Sequence, residues 1–142
     1  MDRLFLDANV LFSAAYRADS GLLRLWDLPD TELVTSWYAV AEARRNLATS
    51  EQRERLEQLL ERVRLIGTPA KPKNPSDLSI SQIPTKDRPI LLAAVAARCT
   101  HLLTGDRQHF GHLFGTSIAG VLILRPAEYL AAREPFHQQD PR

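Results

Sequence analysis

The chain has a single cysteine, almost no net charge, no apolar run long enough to span a membrane and no internal repeat or low-complexity tract. Each absence removes a class of protein. A lone Cys99 supports neither a disulfide framework nor a thiolate metal cluster, and its apolar neighbours suit a buried, inert thiol in a reducing compartment. A formal net charge of +1 excludes a strongly basic nucleic-acid clamp, so any phosphate contact must come from local clusters of Arg and Lys. Without a membrane-length apolar run or a signal-peptide layout at the N-terminus, the expectation is a cytoplasmic protein with no membrane partner. What is present is ordinary for a globular chain: 142 residues, 44% hydrophobic and 25% charged, enough for one domain with a real core. That domain is expected over residues 1–133, with a frayed polar tail over 134–142.

Strand and helix signals alternate. Arg3–Leu6 reads as a strand buried on both faces, followed by a helix over Ala8–Arg17 and a short one around Gly21–Leu28 that ends at Pro29. Glu32–Thr35 reads as a second strand, and Ser36 is placed to cap a helix over Trp37–Ala48. Thr49 or Ser50 caps the next, whose stripe is Leu56, Leu59, Leu60 and Val63. Its charged remainder is a solvated face with local ion pairs. Arg64–Ile66 is a candidate third strand. Thr68–Pro84 carries Pro69, Pro72, Pro75 and Pro84 and reads as an extended loop. Ile90–Arg98 is apolar nearly all round, as in a helix packed against a sheet. A strand over His101–Thr104, a helix near Arg107–Phe114, a strand over Val121–Leu124 and a helix over Ala127–Arg133 complete the pattern. Such alternation predicts an α/β fold, a three-layer α/β/α sandwich around a mostly parallel sheet.

Two of the apolar strands end on an aspartate, Asp7 and Asp106. In an open parallel sheet, sites collect just beyond the carboxyl ends of the strands. Two carboxylates brought there from opposite ends of the chain would call for a cation, and hard divalent ions take oxygen ligands. The competing reading is simpler: Asp7, Asp87 and Asp106 each precede a helix, where an aspartate caps free N–H groups. For Asp87 the following Arg88-Pro89 strengthens it, since proline fits the first helical turn. A residue can cap with one oxygen and bind a metal with the other. Glu42 lies inside a helix beside the apolar stripe of Trp37, Val40 and Ala41, where no cap explains it; its alternative is a solvated glutamate pairing with Arg45 or Asn46. From the residues alone, an acidic metal site and a set of capping and solvated acids both remain open.

Asp7-Ala8-Asn9 after the first strand, Glu42 in the third helix, Lys86-Asp87-Arg88-Pro89 opening an apolar helix, and Thr104-Gly105-Asp106 after the next strand resemble the motif series of the PIN domain, the family that includes VapC-type toxin ribonucleases. The resemblance spans about Arg3–Pro126 and is strongest from Asp87 to Phe110, including the form Thr-Gly-Asp-x-x-His-Phe. It implies a single PIN-like nuclease domain that cuts single-stranded RNA with Mg²⁺ or Mn²⁺. Asp7, Glu42, Asp87 and Asp106 would be its catalytic and metal-holding acids, with Asn9 and Thr104 as polar supports. Asp7 and Asp87 would bind the ion directly, Asp106 directly or through water, and Glu42 would hold a water on the ion or a second ion. The resemblance also implies the toxin half of a type II toxin–antitoxin pair, a cognate antitoxin and a homodimer.

Smaller expectations concern neighbours of these acids. Arg44, Arg45, Lys86, Arg88 and Arg107 are candidates to neutralise substrate phosphates, against the default of exposed helix charges; Lys71 and Lys73 sit in the proline-rich loop. His109 and His112 share a helix face, but an oxygen-rich acid set favours Mg²⁺ or Mn²⁺ over a transition metal. Trp26, Trp37 and Tyr38 are candidate base-stacking groups, with core packing the expectation for both tryptophans. Alternatives are an RNA-processing PIN nuclease outside a toxin pair, a non-catalytic PIN module, and a Mg²⁺-dependent phosphoryl-transfer domain. The last fits less well. A haloacid-dehalogenase-like phosphatase wants a second aspartate where Asn9 stands, and a receiver domain wants an acidic pair after the first strand and a late strand-end lysine.

Overall fold

A computed structural model of the chain describes residues 1–67 and 88–133. β1 (Asp2–Leu6), β2 (Thr31–Ser36), β3 (Arg64–Ile66), β4 (His101–Leu103), β5 (Ser117–Ile118) and β6 (Val121–Leu124) form one sheet in the order β3-β2-β1-β4-β6-β5. All neighbours pair in parallel except the β5–β6 hairpin. Leu4, Phe5 and Leu6 of the central strand are wholly buried, which is why that strand reads as an unbroken apolar run: a parallel strand is covered on both faces.

Parallel neighbours require crossovers, supplied by α1 (Ala8–Tyr16), α2 (Trp37–Asn46), α3 (Ser50–Leu60), α4 (Arg88–Ala96) and the short α5 (Arg107–Phe110), while α6 (Pro126–Arg133) follows the last strand. α1 packs on α2 and α3, while α4 packs against β2 and β4, giving the layered α/β architecture that the sequence pattern predicts. Thr49 and Gln52 form a reciprocal capping box at the start of α3, and Ser36 caps α2 through Ala39 N. The closing helix α6 is tied to the amino ends of β1 and β2. There the Tyr129 hydroxyl donates to Asp2 Oδ2 (2.5 Å), and Arg133 donates to Thr31 Oγ1 and to the Pro29 carbonyl. No helix among the described residues is long and apolar enough to cross a membrane.

The strand order is what positions a site. From β1 the chain builds through β2 to β3 in one direction, and β4 and β6 lie on the other side of β1. The carboxyl ends of β1 and β4 therefore flank the point where the topology reverses, the usual place for a ligand crevice. Leu6 pairs with Leu103 and Asp7 N donates to the Leu103 carbonyl at 3.1 Å. The first residues past the two strands, Asp7 and Thr104, thus stand side by side.

Several local expectations are corrected. Gly21–Asp27 is a 3₁₀ helix, α2 stops at Asn46, and the helix expected near Arg107–Phe114 divides into α5 and a 3₁₀ turn over Gly111–Leu113. β5 was not expected. Its hairpin turns on Ala119 and Gly120, both at positive φ, a two-residue geometry usually announced by Asn-Gly or Asp-Gly. Trp26 is core, with its indole N–H on the Leu59 carbonyl at 3.0 Å, whereas Trp37 is 55% exposed, against the packing expected of it. Cys99 is buried and desolvation pushes its thiol up to about 12, in keeping with an inert side chain.

Candidate active site

Asp7 both caps a helix and faces a cleft. Its Oδ1 accepts from Ala8 N at 2.7 Å, capping α1; its Oδ2 accepts from the Thr104 hydroxyl at 2.8 Å and from Asn9 Nδ2 at 3.2 Å. The Thr104 hydroxyl in turn accepts from Asn9 Nδ2 (3.2 Å) and from Asp106 N (3.1 Å), and Asn9 Oδ1 accepts from Gly105 N at 2.7 Å. These bonds stitch the end of β1 to the end of β4. They also account for glycine at 105, where a Cβ would come within 3.3 Å of Asn9 Oδ1. Asp106 caps α5 by accepting from His109 N (3.1 Å), while its Oδ2 meets His109 Nδ1 at 2.6 Å.

The cleft, about 450 Å³, is lined by Asp7, Asn9 and Phe12 from the start of α1, by Tyr38, Glu42 and Asn46 from α2, and by Asp106 and Ile90. Three of the four acids nominated by the sequence thus reach one cleft, although β1, α2 and the end of β4 are far apart in the chain. Asp87 and Lys86 lie outside the described residues, as do Lys71 and Lys73 and the tail from Glu134. Among the described residues no three His, Cys, Asp or Glu side chains come together as a ready cage for an ion.

The electrostatics separate the two strand-end acids. Asp7 is 5% exposed; its loss of solvent pushes its pKa up to about 6, with Glu42 and Asp106 adding repulsion and the Thr104 and Ala8 hydrogen bonds acting against the rise. Asp106 is also partly desolvated, but the hydrogen bonds from the His109 ring and backbone outweigh that and hold its carboxylate below the ordinary range. Asp7 therefore holds a proton more tightly folded than unfolded. Its stabilising contribution is complete below the ordinary value of 3.8 and is lost as the pH rises through about 6. The loss amounts to about 3 kcal/mol in the metal-free protein by neutral pH. Denaturant unfolding in chelator should show Asp7→Asn gaining on the parent from pH 4.5 to pH 7.5. A stability difference independent of pH over that window would contradict the assignment.

The other sequence candidates distribute unevenly. Arg44 is engaged by Glu57 of α3 at 2.6 Å, Arg45 and Arg107 are exposed, and Arg88 begins α4 half-buried. None of these cations lines the cleft. The glutamate–arginine pairing considered for Glu42 does not form among the described residues. His109 is joined to Asp106 and His112 is exposed, so the two do not act as a pair. Phe12, Asn46 and Ile90 were missed. The signal lay in helical spacing, since Phe12 stands three residues beyond Asn9 and Asn46 four beyond Glu42, each on the face of an acid-site residue.

The fold is a mostly parallel α/β sheet whose topological switch point opens into a cleft lined by three carboxylates, the place where such sheets bind ligands. The family follows from the sequence itself: residues 3–108 match the PIN domain model, and the chain belongs to the PIN domain family. A chain in the crystal structure of VapBC2 from Rickettsia felis bound to a DNA fragment from their promoter is similar in fold. Its TM-score is 0.64 over 87% of this chain and 98% of that one, at 17% identity. No curated protein matches the sequence.

Proposed function

We propose that this PIN-domain protein is a Mg²⁺- or Mn²⁺-dependent endoribonuclease of single-stranded RNA, the toxin component of a toxin–antitoxin pair. The observation that carries the reading is the environment of Asp7: a buried carboxylate facing a cleft with two further acids and, among the described residues, no lining cation. Such a set is self-repelling and is relieved by a divalent ion, and its donors are all oxygens, as Mg²⁺ and Mn²⁺ prefer. Asp7, Asp106 and Glu42 would hold the ion together with Asp87, the fourth acid of the family pattern. When bound, it would acidify an attacking water and stabilise the departing 3′ oxygen.

The chain's own residues prepare the site. Thr104 and the Ala8 N–H hold the Asp7 carboxylate in one orientation. The backbone N–H and the ring of His109 hold the two Asp106 oxygens in place, and Asn9 locks the two strand ends together. Arg45 and Arg107, exposed outside the cleft, are available to RNA phosphates. The structural neighbour is part of a VapBC2 assembly, which supports an antitoxin partner; that this partner covers the cleft, a homodimer and a cytoplasmic location belong to the same proposal.

Purified protein with Mg²⁺ or Mn²⁺ should cut single-stranded RNA internally and stop when chelator is added. Undiminished cutting in chelator, or no cutting of any RNA by the antitoxin-free protein, would sink the reading. A small DNA-binding-type open reading frame immediately upstream would support the toxin assignment over an RNA-processing role.

A further inference from the structure

The cleft measures about 450 Å³, room for more than a bound ion, and its walls indicate what chemistry the rest would suit. Asn9, Phe12 and Tyr16 share one face of α1 at spacings of three and four; Tyr38, Glu42 and Asn46 share one face of α2 at spacings of four. Both helices start at carboxyl ends of adjacent parallel strands and pack on each other, so their faces run side by side away from Asp7. Phe12 and the exposed Asn46 both line the cleft. Tyr16, one turn further along α1 and 49% exposed, packs its ring against Phe12 with centroids 5.3 Å apart and planes tilted by 39°.

We propose that this arm of the cleft is a nucleobase subsite: one base of the RNA strand stacks on the Phe12–Tyr16 pair while Asn46 hydrogen-bonds its edge. The inference rests on the ribonuclease reading and names where a base next to the cut bond sits. Charge selects the base over the backbone. Among the described residues no Lys, Arg or His lines the cleft, and Glu42 is part of its wall, so a phosphate would be repelled there, whereas an uncharged planar ring meets aromatic carbon. An amide beside it offers two donors and an acceptor, enough to distinguish bases. Stacking tolerates any base; the amide supplies preference.

The test uses the full chain and a short labelled RNA in Ca²⁺, with anisotropy reading affinity and Mg²⁺ assays reading kcat and KM. Tyr16→Ala should weaken binding about tenfold and raise KM with kcat nearly unchanged, whereas Tyr16→Phe should bind as the parent does. Asn46→Ala should flatten the difference between homopolymeric RNAs. Replacing the base at the subsite by an abasic residue should cost the parent as much as Tyr16→Ala does, and cost Tyr16→Ala nothing further. If both alanine variants bind and discriminate like a cleaving parent, the subsite is overturned and the ribonuclease reading stands. A parent that neither binds nor cuts RNA overturns both.

Discussion

Asp7→Asn should fold normally and lose at least about a thousandfold in kcat on RNA. The asparagine keeps one oxygen to cap α1 through Ala8 N and retains the size of the side chain, so circular dichroism and the cooperativity of unfolding should match the parent. What disappears is the charge. Among the described acids Asp7 has the least access to water, with two other carboxylates pressing on it, so of these it has the most to gain from a bound cation and is the least replaceable by solvent. The parent should also gain thermal stability on adding Mn²⁺, because an ion that binds only the folded state stabilises it. Asp7→Asn should not. Near-parental cleavage by this variant would remove Asp7 from the chemistry.

Thr104→Val should be the most damaging change outside the acids. The two side chains share a shape, yet the hydroxyl is wholly buried and serves three partners: it donates to Asp7 and accepts from Asn9 Nδ2 and Asp106 N. Valine leaves those groups short of a partner in a dry setting, at a cost of about 1–3 kcal/mol. Its second effect falls on Asp7, whose ionised form the Thr104 bond favours. Without it Asp7 clings to its proton more tightly, and metal affinity should fall about 10- to 100-fold near neutral pH. Thr104→Ser, which keeps the hydroxyl, should recover most of both losses. Calorimetric Mn²⁺ titration of the three proteins decides; equal affinities for valine and threonine would show that the hydroxyl serves only packing.

The parts of this molecule written in the sequence are those set by local pattern. The unbroken apolar runs at Leu4–Leu6 and Leu102–Leu103 mark central parallel strands because both faces are covered. Ser36 and Thr49 announce their helices by capping chemistry. The hairpin of β5 escaped because Ala119 adopts a positive φ without a customary turn residue, held by the pairing of Ser117 and Ile118 with β6. At the site, Asp7 and Asp106 could be read either as caps or as facing acids, and both readings hold at once, since each caps with Oδ1. Helical spacing could have flagged Phe12 and Asn46, but no periodicity rule could reveal that Thr104 bridges the two strand ends or that His109 turns back onto Asp106. Those facts depend on the β1–β4 register.

The central claim is that the cleft at the ends of β1 and β4 holds a divalent ion through Asp7. Anomalous scattering from a crystal soaked in Mn²⁺ tests it most directly. The expected result is a peak in the cleft in direct contact with an Asp7 carboxylate oxygen, absent from the Asp7→Asn protein grown the same way. A cleft without a peak, or a peak that persists unchanged in Asp7→Asn, would contradict the account.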